Sequence, residues 1–408
     1  MKKTLLSLCL LASCLLLCSC SLLMPDYATK ADLDSLKNLQ TSEAGDEYNI
    51  TINSEENTSR LGAAKALLSV VSIECGFQEL YTSGWFGTPQ TTLVDTLYYG
   101  SGVIYRLDKE KGDAYIITNY HVVYNSASTA ENFISKDIKV YLYGQENKAD
   151  AIPATFVGGS QNYDIAVLKV SGSAVLKQSI ASAATFANSD KVSVLDTAIA
   201  IGNPAGMGIS ATAGYVSVDS EEINLPITST SYVSMRVMRV DTAVNGGNSG
   251  GGLFDENGNL IGIVNAKMTD SDIENIAYAI PSNVAKYLTE SILSSKNGVA
   301  TRCILGVVPT VSSSKAVYDV ETGKISIAET VSIESISEGS VATGKLLTGD
   351  VIRSLTIDGN TLNVERKFQL IESMFAARVG STVVFEIERN GQSMSISFAI
   401  TENMVTVM

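Results

Sequence analysis

From Tyr98 onward, short apolar runs alternate with turn residues: SGVIYRL, AYIITN, DIKVYLY, AIPATFVG, DIAVLKV, TAIAIG, SATAGYVSV, SMRVMRV, GLFD, LIGIVNA and IAYAIP. Many short strands at this spacing predict a mainly β fold, a sandwich or barrel. Ahead of them, Leu61–Ile73 reads as a short helix running into a strand. The aromatic and turn-rich Phe77–Thr96 reads as a surface loop. Behind them, Pro281–Ser295 predicts a helix with Val284, Tyr287, Leu288 and Ile292 on one face, closed by Lys296-Asn297-Gly298. A smaller module follows at roughly 301–402. It holds an expected helix at Glu365–Ala377 and a last hairpin turning at Asn390-Gly391.

The N-terminus has a different texture. Lys2 and Lys3 precede the apolar run Leu5–Leu17, the layout of a secretory signal over residues 1–20. The run is shorter than the ~20 apolar residues that a membrane span needs. The signal as a whole carries Cys9, Cys14, Cys18 and Cys20 and resembles a bacterial lipoprotein signal, in which a cysteine becomes the lipidated N-terminus. Leu11-Ala12-Ser13-Cys14 fits the usual pattern better, but it would leave LLLCSCSLL on the mature chain. Leu17-Cys18-Ser19-Cys20 suits the length of the run, so Cys20 is the preferred lipidation site. Residues 21–60 are polar and acidic and read as a spacer, with a short helix expected at Lys30–Gln40.

Length and charge narrow the rest. The 408 residues suffice for two or three domains. A net charge of −14 argues against a nucleic-acid partner, whose phosphates need basic patches. Beyond the signal only Cys75 and Cys303 remain, and nothing in their spacing requires a disulfide. One histidine and no paired C-x-x-C argue against a metal site.

The candidate chemistry centres on Asp241–Lys267. Ser249 is flanked there by Gly246, Gly247, Gly250, Gly251 and Gly252. A serine on such a loop can present its hydroxyl to a carbonyl, with backbone N–H groups facing the developing oxyanion. The chain's one histidine, His121, follows an apolar strand and a Thr-Asn pair. Asp164 opens another strand. Asp196, Asp219 and Asp241 rival it by residue type, but Asp164 lies at a strand edge between His121 and Ser249. The order His, Asp, Ser is that of the chymotrypsin-like double β-barrel, in agreement with the strand texture.

GSGVIY, AYIITNYHVV, YDIAVLKV, IGNP, ATAGYVS, DTAVNGGNSGGGLFDENGNLIGIV and IAYAIPSN resemble, in order, the successive motifs of the HtrA/Deg serine proteases. The stretch GVV…SISEGSVATGKLLTGDVIRSLTIDGN resembles the PDZ domain attached to them. The resemblance implies a chymotrypsin-like double β-barrel protease over 61–295 and a small α+β PDZ domain over 301–402. It places the general base on His121, its orienting carboxylate on Asp164 and the nucleophile on Ser249. The oxyanion hole falls on the N–H groups of Gly247 and Ser249, and no cofactor is needed.

It also places Asn265, Ala266 and Lys267 along the specificity pocket, and Leu305, Gly306 and Val307 in a loop that captures a peptide carboxylate. The partners implied are unfolded or misfolded extracytoplasmic proteins as substrates, C-terminal peptides, a membrane reached through the lipid anchor, and a homotrimer. A regulatory protease cutting one partner, and a non-catalytic chaperone on the same fold, are the alternatives. Two departures stand out: Gly246 where the family usually has proline, and Gly252 where proline or alanine is common. Both predict a more mobile loop. Lys267 stands where an apolar residue is usual.

Overall fold

The computed structural model describes residues 58–83, 90–226, 232–265 and 276–408. The signal with Cys20, the expected helix at Lys30–Gln40 and the spacer as far as residue 57 lie outside the described residues, and residues 58–60 open a helix.

The first half closes into a barrel. Helix α1 (Thr58–Leu67) leads into β1 (Val70–Ser83), β2 (Gln90–Asp108), β3 (Asp113–Thr118), the single turn α2 (Tyr120–Val123), β4 (Asp137–Leu142), β5 (Ile152–Ser160) and β6 (Ile165–Val170). The strands pair in the closed order β1-β2-β3-β6-β5-β4. Strand β6 shows why such strands read as unbroken apolar runs. Ala166, Leu168 and Val170 fill the barrel, while Ile165 and Val167 point the other way into a second core. Successive side chains alternate between faces, and here both faces are dry.

The second half repeats the scheme. Helix α3 (Ala174–Gln178) precedes β7 (Thr185–Phe186), β8 (Thr197–Gly202), β9 (Ser210–Pro226), β10 (Tyr232–Val240), β11 (Gly252–Phe254), β12 (Asn259–Asn265) and β13 (Ala277–Pro281). These run β11-β8-β9-β10-β13-β12-β7, and β11 also pairs with β12, so the path returns on itself. Ile199, Ile201, Val237, Phe254, Leu260 and Ile263 meet Ile117, Ile165 and Val167 of the first barrel in one shared core. Helix α4 (Ser282–Ser294) seals that core with Val284, Ala285, Leu288 and Ile292, nearly the face its sequence predicts. The architecture is mainly β and trypsin-like, as expected.

One expectation fails. Phe77–Thr96 is not a surface loop over most of its length, because β1 runs to Ser83 and pairs with β2 from Gln90 onward in a long antiparallel arm. Leu80, Tyr81, Leu93 and Leu97 on this arm are exposed. Without a buried face it lacks the apolar–polar alternation that marks a strand.

The C-terminal part has its own core of Val331, Ile333, Ile352, Leu355, Phe385 and Phe398, among others. Strand β14 (Thr301–Cys303) pairs with β21 (Val405–Val407). A separate sheet runs β15 (Val307–Tyr318), β16 (Ile325–Ile336), β17 (Val351–Ile357), β19 (Thr382–Arg389) and β20 (Gln392–Ala399), with β18 (Asn360–Asn363) on β17. Helix α5 (Lys367–Ser373) is shorter than the expected 365–377. The last hairpin turns at Asn390 (φ 53°) and Gly391 (φ 77°), the paired positive φ values that such two-residue turns require.

Asp350 anchors this sheet. Arg389 Nε donates to its Oδ1 and Nη2 to its Oδ2, each at 2.7 Å, and Leu347 N–H adds a bond of 2.8 Å. Burial works to raise its pKa, but Arg389 and the Leu347 N–H prevail and hold it below the usual carboxylate range. A lowered folded-state value means that the stabilisation is complete above the unfolded value of about 3.9 and is lost as pH falls through the lowered one. Asp350→Ala should therefore cost about 1.5–3 kcal/mol at neutral pH. The gap from the parent protein should shrink as pH falls below about 4. Urea unfolding across that range checks both, and a gap that does not change with pH would refute the assignment.

Candidate active site

The loop between β10 and β11 is built from its backbone. Gly246 C=O accepts from Ala205 N–H at 2.8 Å, Gly247 C=O from Ser101 Oγ at 2.7 Å and Ser249 C=O from Ser101 N–H at 2.8 Å. Gly250 N–H donates to Val264 C=O at 2.9 Å, and Val264 N–H returns a bond of 2.9 Å to Gly251 C=O. In a trans peptide, C=O and N–H point in opposite directions. The bond from Ala205 to Gly246 therefore turns the Gly247 N–H away from Ala205. Nothing among the described residues accepts a hydrogen bond from the N–H of Gly247 or Ser249. Two donors are thus left for an incoming oxygen.

Glycine is required at Gly247. Its φ is +97°, and a Cβ there would lie 2.3 Å from Asn203 O and 2.6 Å from Ala205 N. Gly252 saves space for a different reason: a Cβ would meet the Phe254 ring at 2.2 Å. It belongs to β11 and is buried, so the mobility expected from this glycine is not what it supplies. Gly246 has open space where a Cβ would stand.

His121 sits in α2, immediately after β3. Its N–H donates to Asp164 Oδ1 at 2.9 Å, and its Nδ1 lies 2.6 Å from Asp164 Oδ2. An ionised carboxylate only accepts, so the proton is on Nδ1 and Nε2 is left as an acceptor. Asp164 is buried, with φ at +50°, a conformation aspartate tolerates better than most residues. Its backbone C=O accepts from Asn119 Nδ2 at 2.9 Å. The rival aspartates are engaged elsewhere. Asp196 bonds Ser193 N–H and Lys324, Asp219 bonds Arg366, and Asp241 accepts from Tyr215 N–H.

His121, Ser249, Gly246 and Gly247 line one cavity of about 240 Å³ with Tyr98, Tyr99 and Val122. A base, a hydroxyl and two free N–H donors around one space suit attack on a carbonyl and stabilisation of the resulting oxyanion. No hydrogen bond joins the Ser249 hydroxyl to His121; such contacts often tighten only when substrate is bound.

Asn265, expected along the specificity pocket, instead turns its side chain to the carboxylate, with Nδ2 2.7 Å from Asp164 Oδ2. Ala266 and Lys267 lie outside the described residues. Leu305, Gly306 and Val307 line a second cavity of about 210 Å³ in the C-terminal part, together with Leu370, Ile371 and Phe375. Ser101 and Asn119 hold the loop and Asp164 in place; both lie within the GSGVIY and AYIITNYHVV motifs, but the sequence alone gives neither of them a role.

Two substitutions test the construction. Gly247→Ala should displace the loop and lower turnover about 10²–10³-fold, the effect of losing one oxyanion donor. Asn265→Ala removes a donor to a buried carboxylate and should lower kcat about tenfold with KM little changed. Steady-state kinetics on a peptide substrate measures both, and wild-type kcat in either variant would contradict the corresponding contact.

Residues 100–263 match the trypsin-like peptidase domain family. The serine protease Do-like HtrA of Lactococcus lactis subsp. cremoris is 30% identical over 314 residues, covering 74% of this chain and 71% of the relative. The serine protease Do-like HtrA of Bacillus subtilis is 33% identical, covering 72% of this chain and 62% of the relative. A solved structure described as HtrA-type protease AlgW with decapeptide superposes with a TM-score of 0.50 at 25% identity, covering 86% of this chain and 98% of that one. With the barrel fold and the cleft that joins His121 to Ser249, these likenesses place the chain in the HtrA family of trypsin-like serine proteases.

Proposed function

We propose that this serine endopeptidase cleaves misfolded or unfolded extracytoplasmic proteins through an acyl-enzyme. Ser249 attacks the peptide carbonyl, and His121 takes its proton and returns it to the leaving amine. Asp164 holds the imidazole tautomer and stabilises the imidazolium. The N–H groups of Gly247 and Ser249 receive the oxyanion. Water then attacks the acyl-enzyme, with His121 as base, and releases Ser249. The observation that carries this reading is the 2.6 Å contact from His121 Nδ1 to Asp164, in a side chain that shares its cavity with Ser249.

The 301–402 segment is proposed to be a PDZ domain. Gly306 has φ +77°, and a Cβ there would meet Ser340 Cβ at 2.2 Å, so the turn before β15 is reserved for glycine. An extended peptide laid along β15 would bring its carboxylate to the N–H groups of Leu305, Gly306 and Val307, with its last side chain against Leu370. The family resemblance adds a lipid anchor at Cys20, residence in the cell envelope and assembly as a homotrimer. Periplasmic relatives support an extracytoplasmic location, among them the pH-dependent endoprotease DegQ of Escherichia coli at 31% identity. A regulatory protease triggered by a bound peptide is the second reading, favoured by Phe375, which lines the groove and also packs in the core shared by the two barrels.

Casein cleavage by the purified protein, beside its Ser249→Ala form, tests the proposal. Cleavage by the first and not the second is expected. Equal cleavage by both would remove Ser249 from the mechanism, and casein binding without cleavage would favour the non-catalytic chaperone. Degradation of many unfolded chains without added peptide distinguishes general from regulatory proteolysis.

A further inference from the structure

Strand β2 crosses the cleft at Tyr98 and Tyr99, and both residues line the cavity that holds His121 and Ser249. The mechanism uses neither ring, yet Tyr98 is 45% exposed and Tyr99 43%. Successive side chains of a strand face opposite ways. Tyr99 shares the face of Ser101, whose Oγ donates to Gly247 C=O, so its ring flanks the glycine-rich loop. Tyr98 shares the face of Gly100, where a Cβ would lie 2.5 Å from Val122 Cγ1. Its ring therefore stands on the side of α2.

Both rings are held in place. Tyr98 packs edge-on against Phe77, with centroids 5.3 Å apart, and its hydroxyl donates to Glu79 Oε1 at 3.3 Å. That oxygen is fixed in turn by Thr96 Oγ1 at 2.6 Å and Asn125 Nδ2 at 2.7 Å. Gly206 lies over the Tyr99 ring: a Cβ there would stand 3.0, 3.2 and 3.3 Å from Cγ, Cδ2 and Cδ1. A wall that is already ordered loses little freedom when a ligand packs on it.

The chemistry decides which half of a substrate meets this wall. The reacting carbon sits at Ser249, with its oxygen on the N–H groups of Gly247 and Ser249. The leaving nitrogen must come within reach of His121 Nε2, which hands it a proton. The chain that continues from this nitrogen therefore departs on the His121 side, over Val122, Tyr98 and Tyr99 of the first barrel. The acyl half diverges from it toward the second barrel.

We infer that Tyr98 and Tyr99 determine specificity for the two residues that follow the cut, and that both positions select apolar side chains. This rests on the proposed roles of His121, Ser249 and the two N–H donors. The first side chain after the cut packs on Val122 and Tyr98, and the second packs on Tyr99. Neighbouring side chains of an extended peptide point apart, which suits two rings carried on opposite faces of β2.

The test digests a pool of random-sequence peptides with the purified full chain, and mass spectrometry reads the residues on either side of each cut. Leucine, isoleucine, phenylalanine and tyrosine should be enriched about fivefold or more over glycine and aspartate at both positions after the cut. Tyr98→Ala should remove most of the enrichment at the first position and Tyr99→Ala at the second. Residue preferences before the cut serve as the internal reference. Should an alanine variant fail to fold, Tyr98→Gln or Tyr99→Gln replaces it, keeping length while removing the ring.

The parent protein gives a second measurement, in which amino acid amides compete with water for the acyl-enzyme. The amine attacks the acyl carbon, His121 takes its proton and returns it to Ser249 Oγ, and a new amide forms. Leucinamide should capture the acyl group about fivefold more readily than glycinamide. Equal capture, no apolar enrichment after the cut in the parent, or full enrichment in either variant overturns the inference. Absence of cleavage together with absence of Ser249 labelling by a fluorophosphonate instead fails the catalytic reading itself and takes the inference with it.

Discussion

The Asp164 carboxylate accepts from His121 N–H at 2.9 Å, from His121 Nδ1 at 2.6 Å and from Asn265 Nδ2 at 2.7 Å. His121 and Asp164 belong to the first barrel, whereas Asn265 ends a strand of the second. A buried carboxylate is tolerable only when its lone pairs are satisfied. The group that orients the histidine therefore also ties the two barrels at the cleft. Sliding one barrel against the other would strip a donor from a buried charge, so the core between them and the site geometry are under one constraint. The sequence satisfies both with strands such as β6, whose alternate residues feed the inner and the shared cores.

A second constraint lies where the C-terminal part meets β10. Arg236 donates from Nε to Glu372 Oε1 at 2.6 Å and from Nη2 to Oε2 at 2.7 Å, and its guanidinium lies 3.8 Å from the centroid of the Phe368 ring. Both side chains are buried. Burial keeps the Glu372 pKa raised despite the attraction of Arg236. A buried pair of this kind contributes little net stability over apolar residues of similar size, but it is costly to break. It fixes where α5 sits. Arg366 extends the arrangement to Asp219 at 2.9 Å on β9. Helix α5 thus has one face on the groove and another clamped to the protease.

Much of the candidate site was legible because the residues brought together there are rare or locally conspicuous. A chain with a single histidine offers one candidate base, and glycines crowd around only one serine. The strands of both barrels were legible for the same kind of reason, since buried strands have an apolar signature. The β1–β2 arm was not, because its exposed Leu80, Tyr81 and Leu93 give no buried face to detect. The bond from Asn265 to Asp164 was not legible, because its partner lies in the other barrel, where no local pattern reports it. The Tyr163–Phe375 contact is hidden for the same reason: it joins a turn in the first barrel to the end of a helix far along the chain.

The glycine-rich loop bears on how such an enzyme can be controlled. High glycine content alone predicts a loop that must be ordered before it works. Yet Ser101 holds two of its carbonyls, Ala205 a third, and Gly250 and Gly251 are stitched to Val264. A loop held in this way keeps its N–H groups in place without further ordering. The carboxylate contact of His121 is likewise made. The contact that is not made is the one between His121 and the Ser249 hydroxyl, although both line one cavity. Asp164 holds a positive φ, and the ring of the preceding Tyr163 packs edge-on against Phe375. The backbone of the glycine-rich loop is therefore set by its own hydrogen bonds, and its glycine content does not by itself leave it without order.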